Sequence, residues 1–292
     1  MVENIKSNFV LEAIFENIPN KRKLNIIKHN KDLQRKLNIK EDDFKVYEAL
    51  KEFSKIYRNK LEDIYLTEID LNDKGIRNEH LEYLNKIGFK GVERIFMARN
   101  NITDISALGK VKYEKLNLLH LIQNRISDIK VLEEVKFENL EILNLSYNNI
   151  SDINALAKAN FKELTELNLS FNQIQDIKVL EKVNFKKLKK LLLRNNMISD
   201  ISVLQNTDFK ELRNLDFCYN CISNIKVLEN VNFEKLRTLD LAHNNIWDIT
   251  PLENANFKEL GMVYLLGNQI NIRSPHIDRV RNNLKQAYLY LK

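Results

Sequence analysis

The chain has 292 residues, 44% hydrophobic and 29% charged, which fits a globular protein and excludes a disordered or fibrous one. Its net charge of +6 is a mild basic excess. Much of it alternates with acids, as at Lys162-Glu163 and Lys258-Glu259, so it reads as a solvated rim and excludes a dedicated nucleic-acid surface. No apolar run approaches the ~18 residues of a membrane helix, so no membrane partner is expected.

The first segment, residues 1–65, carries no repeat and reads as helical. Glu3, Lys6, Glu12 and Glu16 interrupt its apolar start, which predicts no secretory leader. Ser7 can cap a helix that bears Phe9, Leu11, Ile14, Phe15 and Ile18 and stops at Pro19. A second helix is predicted from about Lys21 to Leu37. A third, from about Asp42 to Leu61, carries Val46, Leu50, Phe53 and Tyr57 on one face. The direct role for these helices is to cap a repeat array, which exposes apolar core at its end. Phe9-Val-Leu-Glu-Ala-Ile-Phe15-Glu-Asn-Ile18-Pro, followed by Lys23-Leu24 and Leu33, also resembles the F-box, although its leading Leu-Pro and its tryptophan are missing. That resemblance implies docking of Leu11, Ile14, Phe15 and Ile18 onto a Skp-type adaptor of a ubiquitin ligase, with the remaining chain holding a substrate.

From residue 66 onward one pattern recurs, L-x-x-L-x-L-x-x-N-x-I-x-D-I-x-x-L. Eight copies open at Val92, Leu116, Leu140, Leu164, Leu188, Leu212, Leu236 and Leu260, spaced by 24 residues. A degenerate copy precedes them at Leu66, with Lys74 in place of the asparagine. A truncated one is read at Leu284, with Ala287 and Leu289 as its next apolar positions. The pattern resembles the leucine-rich repeat, in its short intracellular form and close to the phosphatase-regulatory type. This implies an α/β fold over residues 66–292: a curved parallel sheet with short helices on the convex side. It also implies a cytoplasmic or nuclear adaptor without enzymatic activity.

Each part of the unit has a physical role. Leu167 and Leu169 alternate with polar residues, the period of a half-buried strand. Asn172 ends the strand, and its side chain can satisfy backbone groups and link to the next unit. Asp176, before Ile177 and Leu180, reads as a helix cap. An aromatic three residues before each unit, from Phe89 through Tyr113 to Phe257, predicts a buried spine. Stacked at ~4.8 Å, nine or ten strands give a wall on the order of 45 Å long, the scale of a protein partner and not of a metabolite.

Three columns of that wall should face solvent. They bring up Phe96, Arg99, His120, Tyr147, Phe171, Leu192, Arg194, Tyr219, His243 and Tyr264, and exposed aromatics and arginines are typical of protein interfaces. These are the candidate partner-binding residues. His120 and His243 are five repeats apart, too far to cooperate in catalysis. Cys218 and Cys221 form a lone C-x-x-C without further ligands, and six glycines form no phosphate loop. The sequence therefore predicts no catalytic residues, metal or cofactor. Two cysteines with no disulfide-rich end caps fit a reducing compartment. The expected function is binding of a protein on the concave face, with a ligase receptor or a structural subunit of an assembly as the alternatives.

Overall fold

The computed structural model describes residues 31–36, 46, 49–50, 52–55, 66–89, 91–284 and 287–291. Ten three-residue strands form one parallel sheet in sequence order, from β1 (Glu68–Asp70) and β2 (Arg94–Phe96) to β9 (Met262–Tyr264) and β10 (Tyr288–Tyr290). Between them lie β3 (Leu118–His120), β4 (Ile142–Asn144), β5 (Glu166–Asn168), β6 (Lys190–Leu192), β7 (Asn214–Asp216) and β8 (Thr238–Asp240). The register keeps equivalent repeat positions opposite each other, as Leu119 with Leu143 and Leu167 with Leu191. The middle residue of each strand from β1 to β9 is buried, and so is the apolar residue two positions later, such as Leu145 or Leu169. That is the predicted alternation, and it turns one sheet face into the core.

The asparagine ladder holds the units together. Asn172 Oδ1 accepts from the Ile150 N–H at 2.9 Å, and Nδ2 donates to the carbonyls of Leu145, Leu169 and Ser170. The same set recurs at Asn124, Asn148, Asn196, Asn220 and Asn244. A side chain that serves backbone groups of two units at once fixes their spacing, because each buried polar group needs its partner.

The expected helix caps are Asx turns. Asp176 Oδ1 accepts from the Lys178 N–H at 2.8 Å, and Asp104, Asp128, Asp152, Asp200, Asn224 and Asp248 do the same two residues on. In most units the Asx turn leads into a single 3-10 turn, as at Lys178–Glu181, and not into the α-helix that the sequence predicts. These 3-10 segments run for only four or five residues, which is too short for a stable α-helix. Pro251–Asn254 is α-helical, with its proline in the first turn.

Both ends use longer units. Asn78–Ile87 is a ten-residue α-helix that buries Leu81, Leu84 and Ile87 and ends at Gly88, in the left-handed conformation. His276–Asn283 closes the other end, where Asn283 Nδ2 donates to the carbonyls of Leu252 and Ala255. This second helix corrects the register of the last copy. Leu289 pairs with Val263, so the unit opens at residue 286 and not at Leu284.

Of the N-terminal segment, Lys31–Lys36 is helical, as are the described residues from 46 to 55. Ala49 and Phe53 are buried, and the Phe53 ring lies 5.9 Å from that of Phe89. This part of the third predicted helix covers the start of the array. Leu11, Ile14, Phe15 and Ile18 lie outside the described residues.

The aromatic spine is present. Phe137, Phe161, Phe185, Phe209 and Phe233 are buried, and Phe257 is half-buried at the end. Tyr113 is the one tyrosine among them. It is buried, its hydroxyl has no hydrogen-bond partner among the described residues, and burial pushes its pKa up. Tyr113→Phe is expected to raise unfolding free energy by about 1 kcal/mol, because an unpaired buried hydroxyl costs ~1–3 kcal/mol. Chemical denaturation of the two proteins checks this, and a destabilised variant would refute it.

Candidate protein-binding surface

The residue before each ladder asparagine, like Asp73 before Lys74 in the first unit, has a positive φ. Asp73, Arg99, Gln123, Tyr147, Phe171, Asn195, Tyr219 and His243 all lie between 52° and 57°. This left-handed conformation favours glycine and costs ~1–2 kcal/mol for other residues. Its cause is the ladder: the Tyr147 N–H donates to the Ser170 carbonyl at 2.9 Å, and the Phe171 N–H to Arg194 at 2.7 Å. The chain must extend sheet pairing by one residue while turning sharply into the asparagine. Gly267 completes the column, and there the His243 ring covers the place a Cβ would take.

The repeat period then stacks these side chains. Tyr147 and Phe171 lie 4.0 Å apart between centroids, with an 8° interplanar angle. Tyr219 and His243 lie 4.1 Å apart at 8°, and the Arg194 guanidinium sits 5.2 Å from the Tyr219 ring centre. Tyr147 and Tyr219 are 48% and 44% exposed, so the stacks are open to a partner and not part of the core.

The other predicted residues form separate groups. Phe96 meets His120 edge-on at 5.2 Å, towards the first strands, and burial holds the His120 pKa below its usual range. Arg99 is 3.6 Å from Asp73 in an exposed ion pair. Leu192 is half-buried, as is Asn168, although the strand pattern predicts both to be exposed. Asn144, Ser146, Ser170, Cys218 and Ala242 from the same columns are buried. Neighbouring strands cover one another, so short side chains on this face lose access that long ones keep. Tyr264 stacks on Tyr290 at 4.6 Å and 10°.

Arg194 approaches Asp240 at 3.9 Å, and Asp216, Cys218 and Asp240 bring their acidic and thiol atoms within 4.8 Å of one another. Burial and the nearby carboxylates push the Cys218 thiol up to about 12, so it stays protonated and makes a poor metal ligand. Asp216 is also raised, chiefly by burial, with Asp240 adding to it. A carboxyl raised in the fold costs stability as pH rises from the usual carboxylate range through that raised pKa. Asp216→Asn is therefore expected to melt higher than the parent at pH 7, with the difference vanishing below the usual carboxylate range near ~4. Thermal melts across pH test this; a lower melting point at pH 7 would contradict it.

The model for leucine-rich repeats, in its two-copy form, matches residues 138–182, 162–206 and 210–254. These matches fall on units with complete strands, ladder asparagines and Asx turns. The fold is the leucine-rich-repeat solenoid. Solved structures with the same fold include a Leptospira interrogans leucine-rich-repeat protein, 21% identical with a TM-score of 0.60, covering 71% of this chain and 50% of that one. This chain thus spans half the length of the Leptospira protein. Internalin C2 from Listeria monocytogenes is 22% identical with a TM-score of 0.50, over 84% of this chain and 92% of that one. The leucine-rich-repeat ectodomain of an Arabidopsis thaliana membrane receptor kinase, solved in complex with Casparian strip integrity factor 2, is 20% identical with a TM-score of 0.51 over 65% and 22%. No curated protein matches the sequence. Among the described residues, no helix is long and apolar enough to cross a membrane.

Proposed function

We propose that this protein is a non-enzymatic binding module that holds a protein partner on the concave sheet face, through Phe96, Arg99, His120, Tyr147, Phe171, Leu192, Arg194, Tyr219, His243 and Tyr264. The observation that carries the reading is the pair of exposed ring stacks in the left-handed column. The backbone there favours glycine, and a solvated surface needs no aromatic ring. Bulky rings at these positions cost stability locally and offer rigid apolar area, which loses little entropy on binding. The receptor ectodomain of the same fold, solved with its bound factor, fits such a use. The free thiols of Cys218 and Cys221 fit a cytoplasmic setting.

The test replaces Tyr147, Phe171 and Tyr219 together by alanine. Stability should change little, because lost stacking of ~0.5–1.5 kcal/mol per pair is the main term. Affinity for a partner recovered with the parent protein should fall by ~2 kcal/mol or more. Unchanged affinity would move the search to the convex turns.

A further inference from the structure

The chain contains 46 lysines and arginines, yet strands β7 to β10 read Asn-Leu-Asp, Thr-Leu-Asp, Met-Val-Tyr and Tyr-Leu-Tyr. Among the described residues, Asp216 and Asp240 are the only strand residues of this part of the sheet with an acidic or basic side chain. Their structural task needs no charge. Asp216 Oδ1 accepts from the Cys218 N–H at 2.8 Å, and Asp240 Oδ1 from the Ala242 N–H at 3.0 Å. Asn144 and Asn168 make the same bond to Ser146 and Ser170, each at 3.0 Å, in earlier units of the array. The negative charge at 216 and 240 is therefore surplus to the fold.

Among the described residues, Arg194 is the cation that offsets these two carboxylates. It reaches Asp240 at 3.9 Å, a long contact, while its guanidinium lies over Tyr219. One cation against two half-buried acids leaves a net negative charge in a basic protein. The next row adds an aromatic wall. Asp240 pairs in register with Tyr264, and Tyr290 stacks on the far side of that ring. A carboxylate beside an aromatic face suits a cationic side chain, which gains an ion pair and a cation–π contact together.

We infer that this half of the sheet face docks a basic protein segment, one arginine or lysine of which sits between Asp240 and the Tyr264 ring, within reach of Asp216. The inference rests on the reading of the concave face as the partner surface and adds the charge of the partner. Neutralising the surplus acid on binding makes the contact selective for basic segments and weaker in high salt. A nucleic acid would be repelled at the same place.

The test selects short random peptides on the full chain, in parallel with an Asp216→Asn/Asp240→Asn variant and a Tyr219→Ala/Tyr264→Ala variant, each checked by thermal melting. Peptides from the parent should be enriched in arginine and lysine over the starting library. They should lose about tenfold or more in affinity on the Asn variant, as expected when a paired charge is removed. Peptides that need Tyr219 and Tyr264 but show no basic enrichment, or that bind the Asn variant unchanged, would overturn the inference and leave the sheet-face reading standing. Peptides indifferent to all these substitutions, or a selection that recovers none, would overturn both.

Discussion

Asn172→Ala is expected to lower unfolding free energy by on the order of 3 kcal/mol, since one orphaned buried donor alone costs ~1–3 kcal/mol. The side chain is 8% exposed and serves two units. Its loss leaves the Ile150 N–H, now bonded at 2.9 Å, without its acceptor in a place water does not reach. The carbonyls of Leu145 and Leu169, each 3.0 Å from Nδ2, lose a donor as well. Asn172→Asp should do no better. It keeps the acceptor for Ile150 but turns a negative oxygen towards carbonyls. Each repeat contacts only its neighbours, so the damage should centre on β4 to β6 and broaden the unfolding transition. Urea unfolding measures both effects, and a loss under about 1 kcal/mol, the low end for an orphaned donor, would show that the ladder does not hold the units together.

Leu169→Ala is expected to cost ~2–5 kcal/mol, the range for a large aliphatic side chain removed from a packed core. Leu169 has no exposed area. It sits between Leu145 and Leu193, which are equally buried one unit to either side, and such a stack collapses little around a gap. The neighbouring Asn168→Ala should cost less, since Asn168 is half-buried and faces the opposite side of the sheet. Equal losses at the two positions in chemical denaturation would contradict the register.

Most of this fold is legible because the repeat states its own periods. Alternation of two marks the strand, the asparagine marks the turn, and the aspartate marks the cap. The 3-10 turns read as helices in sequence because an Asx turn before apolar residues looks the same at either start. The pattern misplaces the last unit because the helix His276–Asn283 takes two residues more than the 24-residue spacing allows. That slip also hides Tyr290 from the candidate surface, although Tyr288-Leu289-Tyr290 has strand alternation of its own. The ring stacks are half legible. The spacing puts Tyr147 beside Phe171, but nothing in the composition signals a left-handed backbone under tyrosine and phenylalanine. Asp216 and Asp240 are visible as acids in one column. Their meeting with Arg194 and Cys218 from the next column depends on side-chain reach, which spacing does not give.

Oxidative footprinting of the protein alone and with its partner tests the central claim most directly. Tyr147, Tyr219 and Tyr264 lie on the sheet side, while Trp247, 68% exposed, comes after the asparagine turn and serves as the internal control. Binding on the concave face predicts that oxidation of the three tyrosines falls in the complex while Trp247 reacts as before. Unchanged tyrosines with a protected Trp247 would contradict it.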